Sequence, residues 1–229
     1  MWFGKIEDCI IYEEKDFLVC HKPSGLAVQN ARIGTMDMES ALKNYLAAKN
    51  PGKIPYLAVV HRLDQPVEGV LVFAKSQKAA GKLSSQMAAG EMGKYYLAVT
   101  KGKPSEKAGV LEDYLKKDGK NNLSSVVKQG SAGAKKAILR YEVLEELEEK
   151  VLLGIKLETG RHHQIRVQLA HHGMALAGDR KYNKESENGI SLGLCSEQLF
   201  FAHPMTGKKM EFHTIPTGNA FEGFAYFKR

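Results

Sequence analysis

A chain of 229 residues is long enough for one sizeable core, and 43% hydrophobic with 26% charged residues excludes extensive disorder. Lysine and arginine number 33 against 26 acids, so the net charge of +7 suits a polyanionic partner. The start of the chain carries Glu7 and Asp8 where a signal peptide needs an apolar stretch, and no run reaches the length of a membrane span, so a cytoplasmic protein without membrane association is expected. Cys9, Cys20 and Cys195 form no CxxC pair and read as small core residues in a reducing compartment.

Short apolar runs at 9–12, 17–20 and 25–28 predict closely spaced strands. Residues 36–49 hold helix formers with Met38, Leu42, Tyr45 and Leu46 at helical spacing, closed by Pro51-Gly52. A strand over 57–60 runs into His61, and 69–75 is apolar on both faces, as in the central strand of a covered sheet. Ser76 can cap a following helix with Ala79, Leu83 and Met87 on its inner side. Strands are expected at 94–99, 111–115 and 123–127, and 137–147 with 151–157 reads as a hairpin. Residues 161–172 look helical, 199–203 with 209–213 forms another hairpin, and Phe221, Phe224 and Phe227 predict a terminal helix packed on the core. No repeat or linker divides the chain. The expectation is a single α+β domain over 1–229, with a mixed, largely antiparallel central β-sheet flanked by helices.

His61-Arg62-Leu63-Asp64 leads through Gln65-Pro66-Val67-Glu68-Gly69 into the apolar run, placing an acid beside an arginine in a rigid turn. Alone, such a pair is more often a solvated ion pair or a local cap than a catalytic couple. Lys94-Tyr95-Tyr96 sets two tyrosines on opposite faces of a strand, so at most one enters a site. Residues 159–166, with Arg161, His163, Gln164 and Arg166, are polar and basic where a strand turns into a helix, a position that favours anions. The pairs His162-His163 and His171-His172 lack the i, i+4 spacing with an intervening acid that a helical zinc site needs, so no metal is expected. No GxSxG occurs and no cysteine lies in a polar turn. Asp, Tyr and Arg remain, and a carboxylate is ionised at neutral pH and can act as a nucleophile without a metal.

His61-Arg62-Leu63-Asp64 with Gly69 and Ala74-Lys75, then Lys94-x-Tyr96-x-Ala98 with Gly102, then Leu157-x-Thr159-Gly160-Arg161-x-His163-Gln164-Ile165-Arg166-Val167, resembles the RluA family of pseudouridine synthases. The likeness starts at Lys22-Pro23-x-Gly25-Leu26 and continues through Leu169-Ala170-His171-x-Gly173, Gly178-Asp179 with Tyr182, and His203-Pro204-x-Thr206-Gly207. It implies the pseudouridine synthase fold and isomerisation of uridine in structured RNA, an rRNA or tRNA stem-loop, with no cofactor and no metal. Asp64 matches the catalytic aspartate, Tyr96 the tyrosine packed against the target base, and Arg166 the arginine paired with the aspartate. Arg62 matches the residue that helps fill the gap left by the flipped nucleotide, and Lys94, Arg161, His163 and Gln164 join it as RNA-binding candidates. His61 reads as a structural hydrogen-bonding residue and Leu63 as a core residue.

Two departures from the family pattern stand out. Val67-Glu68 replaces a common small pair, and His162 replaces a common threonine. Glu68 adds a negative charge four residues from Asp64, which raises the aspartate's pKa if it faces the cleft and is harmless if it faces solvent or a base. The family pattern starts by about Cys9, so no N-terminal S4 module is expected, and a monomer would bind compact RNA through its own basic surface. A non-catalytic RNA-binding protein that keeps the fold, and a metal-dependent hydrolase built on the histidines, are the competing readings.

Overall fold

The computed structural model describes residues 4–30 and 35–228. Met1, Trp2 and Phe3, part of the segment weighed against a signal peptide, lie outside the described residues. In chain order the elements are β1 (Ile10–Glu13), β2 (Phe17–Lys22), α1 (Met38–Lys49), β3 (Ala58–Val59), β4 (Glu68–Ala74), α2 (Gln77–Ala88) and β5 (Gly93–Thr100). They continue with β6 (Ala108–Asp118), β7 (Leu123–Val127), β8 (Lys135–Glu146), β9 (Val151–Leu157), α3 (Gln164–His171), β10 (Leu194–Ala202) and β11 (Lys209–His213). The expected α+β class holds, and every ladder with a described register is antiparallel. No helix among the described residues is long and apolar enough to cross a membrane.

Two compact units are present, and the chain crosses between them inside strands. One runs up to Lys94 and resumes over Ser196–Thr217; the other comprises Tyr95–Cys195 and the residues from Gly218 on. In the first, β2 pairs with β4 from Phe17↔Ala74 to Lys22↔Gly69, β1 lines the far edge of β2, and β10 pairs with β11. Every residue of β4 is buried, as its two-sided apolar run requires. Ser76 accepts from the Ala79 N–H at 3.2 Å and starts α2, which lays Ala79 and Leu83 on Phe17, Val70, Val72 and Phe201. Burying Leu83 contributes about 2 kcal/mol. Met87, expected on that inner face, is instead exposed.

Segment 25–28 is a turn and not the expected strand, since its backbone groups bond elsewhere. The Lys22 ammonium takes the Leu26 carbonyl, Gly25 at φ 85° donates to Gln65, and the Ala27 and Val28 carbonyls receive the first N–H groups around α1. Of 57–60 only Ala58 and Val59 join a ladder.

In the second unit the strand order is β5-β9-β8-β6-β7. The 137–157 hairpin forms as expected, and β6 and β7 are real strands, β6 much longer than its apolar stretch. Helix α3 begins only at Gln164 because His163 sits in the left-handed region at φ 54°. That conformation costs a non-glycine residue about 1 kcal/mol. No continuous terminal helix forms: two short 3-10 turns, Asn219–Phe221 and Ala225–Lys228, are separated by Gly223 at φ 92°, a conformation helices exclude. The phenylalanine rhythm nevertheless reports burial, with Phe221 and Phe224 in a core with Leu97, Val99 and Leu152.

Candidate active site

Asp64 lies in the first unit, half-buried on the turn that enters β4, between exposed Arg62 and buried Val67. The turn closes through the Val67 N–H donating to the Asp64 carbonyl at 3.0 Å. Beneath it is Lys22, wholly buried, whose ammonium donates to the carbonyls of Pro23 at 2.9 Å, Leu26 at 2.7 Å and Gln65 at 3.0 Å. Burial pulls the Lys22 ammonium down to about 7, against the opposing pull of the Asp64 and Glu68 carboxylates. Gly69 must be glycine: at φ 128° a Cβ there would meet the Ser196 carbonyl oxygen at 2.4 Å.

Glu68 is 1% exposed and accepts from the Thr217 N–H at 2.9 Å and the Thr217 hydroxyl at 2.6 Å. His21 Nε2 is 3.8 Å from the same carboxylate, and Nδ1 pairs with the Thr214 hydroxyl at 2.7 Å. Burial lowers the His21 pKa, with Glu68 opposing and Lys22 reinforcing the shift. His61 is structural, as read: its buried Nε2 accepts from the Val72 N–H at 3.4 Å, and burial followed by the Lys94 charge keeps the ring neutral. Lys94 is itself pulled down to about 8 by burial.

Tyr96 and Arg166 belong to the second unit. Tyr96 is buried at 6% exposure on β5, while its neighbour Tyr95 lies across Gly154 and donates to Glu142, so the two tyrosines do face opposite ways. Arg166 on α3 is 4% exposed, far from a surface helix arginine. Its Nε and Nη2 donate to the two oxygens of buried Asp179 at 2.8 and 2.7 Å, a bidentate pair. Asp179 is fixed in turn by the N–H groups of Lys181 and Tyr182, and the guanidinium lies 5.3 Å over the Tyr182 ring.

The Tyr182 hydroxyl receives the Ser124 N–H at 2.8 Å and pairs with His163 Nδ1 at 2.7 Å; the His163 ring stacks on His162 at 3.8 Å. These contacts offset the left-handed backbone of His163. Gln164 is buried, taking the Arg161 N–H and Thr159 hydroxyl on Oε1 and donating to the Ile138 carbonyl, so its amide shapes the turn. Arg161 is exposed, with its Nε on the Lys136 carbonyl. Among the described residues no group of three or more His, Cys, Asp or Glu side chains is arranged to hold a metal ion.

Sequence reasoning assigned no role to Lys22, Asp179 or Tyr182, although all three lie in motifs that carry the resemblance. For Lys22 the available signal was a lysine ending an apolar strand run, where a solvated side chain is out of place.

Residues 16–171 match the family model described as RNA pseudouridylate synthase. The chain is 32% identical over 217 residues to the ribosomal large subunit pseudouridine synthase C of Vibrio cholerae, covering 92% of this chain and 66% of that protein. It is 30% identical to the ribosomal large subunit pseudouridine synthase D of Zymomonas mobilis, covering 89% and 67%. The chain thus spans about two thirds of the length of these curated relatives. Human RNA pseudouridylate synthase domain containing 4 shares the fold, with a TM-score of 0.79 at 22% identity over 93% of this chain and 90% of that one.

Proposed function

The chain belongs to the RNA pseudouridylate synthase family, and from that premise we propose that it isomerises uridine to pseudouridine in ribosomal RNA of the large subunit, with Asp64 as the acting carboxylate and no cofactor. The reaction breaks the N1–C1′ glycosidic bond, turns the uracil and forms a C5–C1′ bond, with the C5 proton lost and a proton taken up at N1. Attack of Asp64 on C1′, attack on the base, and a glycal route all start from an ionised carboxylate beside the nucleoside. The target base must first leave its stack, at a cost of a few kcal/mol.

We assign Tyr96 to stacking against that base, since a phenol is in general a poor base near neutrality. Arg166 supplies a guanidinium whose orientation Asp179 fixes. Exposed Arg62 suits the vacated stack, and exposed Arg161 suits phosphate. Lys94 sits in a desolvated place where an arriving phosphate would restore its full charge. His163 and Gln164 act by shaping the turn that presents Arg161.

The observation that carries the reading is Asp64 on a turn stapled from below by the buried Lys22 ammonium, inside the segment that matches the family model. The large-subunit substrate follows the relatives' names. Chemical mapping of pseudouridine across all RNA from wild-type and deletion strains tests it. Loss of a large-subunit rRNA site is expected; loss of a tRNA site would move the substrate, and no loss at all would favour the non-catalytic RNA-binding reading.

A further inference from the structure

Glu68 gathers three segments that are distant in sequence. The end of β2 brings His21, the segment after β11 brings Thr217, and Glu68 itself opens β4 directly after the Asp64 turn. The same end of β2 carries Lys22, which holds the carbonyl of Gln65, the residue following Asp64. The backbone from Asp64 to Glu68 is therefore gripped at both ends, upstream by an ammonium on a carbonyl and downstream by a carboxylate on Thr217.

We infer that Glu68 is a positioning residue for the proposed isomerisation: it anchors the downstream end of the Asp64 turn to Thr217 and, as a buried carboxylate beside the end of β2, favours the charged form of Lys22 on the Gln65 carbonyl. This rests on the proposed function for its kinetic readout only. A buried ammonium held by carbonyl dipoles alone is costly to keep charged, and a nearby carboxylate lowers that cost. The described groups around Lys22 are the carbonyls of Pro23, Leu26 and Gln65, with the carboxylates of Asp64 and Glu68 acting on its charge. Glu68 faces Thr217 and His21. The residue that departs from the family pattern thus supports the turn and does not oppose the aspartate.

Two variants separate the anchor from the charge. Glu68→Gln keeps an acceptor for Thr217 and removes the charge; Thr217→Val keeps the charge and removes the hydroxyl donor. With a large-subunit rRNA transcript, Glu68→Gln is expected to lower kcat about tenfold at pH 8, with KM within about twofold and most of the loss recovered at pH 6. Thr217→Val is expected to lower kcat by a similar factor at every pH, about threefold. Independently of RNA, the 15N signal of the Lys22 ammonium titrates at lower pH in Glu68→Gln than in the wild type.

A Glu68→Gln protein with the wild-type kcat profile and an unmoved Lys22 titration overturns the inference. A loss carried wholly by KM overturns the positioning role. If the wild type itself forms no pseudouridine, the proposed function fails, and the Lys22 titration still decides the coupling.

Discussion

Lys22 and Arg166 are both buried cations, one in each unit, and they are held by opposite means. Lys22 is surrounded by three backbone carbonyls, and no carboxylate oxygen is described within hydrogen-bond reach of its ammonium. Arg166 is clamped by a buried carboxylate through two parallel bonds. Dipoles compensate a buried charge less well than an opposite charge does, so Lys22 is pulled down to about 7. A guanidinium does not give up its proton in a protein, so Arg166 keeps its charge throughout. Of these two cations, Lys22 therefore responds to pH near neutrality, and Arg166 supplies a fixed charge in a fixed orientation.

The largest way to break this contrast is to remove the clamp. Asp179→Ala takes away both charge-assisted bonds to the buried Arg166 guanidinium, and stability to urea should fall by about 3 kcal/mol. An unchanged unfolding midpoint would mean that Arg166 owes its placement to other contacts.

Lys22→Met sharpens the other side. The folded pKa of Lys22, about 7, lies below its ordinary 10.5, so the unfolded chain binds the extra proton between those values and stability rises with pH across that window. The variant should lose on the order of 3 kcal/mol of that rise relative to the wild type. Parallel urea-unfolding curves at pH 7 and pH 10 check it, and identical pH slopes in the two proteins would contradict it.

The smallest effect lies at a conventional ion pair away from Asp64. Burial works to raise the Glu13 pKa, but hydrogen bonds from Lys75, Lys49 and Tyr45 outweigh it and hold the carboxyl at about 2. Its contribution is full above the ordinary 4.5 and disappears as pH falls toward 2. Glu13→Gln should cost about 1 kcal/mol at pH 7, after discounting for partial exposure, and nothing at pH 2. Equal stability of variant and wild type at pH 7 would remove Glu13 from the account.

These contrasts also explain what could be read in the sequence. The β4 run, the Ser76 cap and the opposed tyrosines depend on local periodicity and short-range chemistry, and all three appear as expected. The α3 start and the terminal turns differ because they are set by single backbone angles at His163 and Gly223. Glu68 was identifiable as a departure, but its direction was not, since Thr217 is 149 residues away. Lys22 was harder still, because its partners are carbonyls, which every residue has. The Asp179 clamp lies only 13 residues from Arg166, yet nothing in the spacing favours that acid over the others.

The most direct test of the central claim is single-turnover formation of pseudouridine by the purified protein and by Asp64→Asn on a large-subunit rRNA transcript. The account predicts that the wild type converts a defined uridine, while the variant binds the RNA within about twofold of wild type and reacts at least about 10³-fold more slowly. Conversion by Asp64→Asn at a rate near that of the wild type would contradict it.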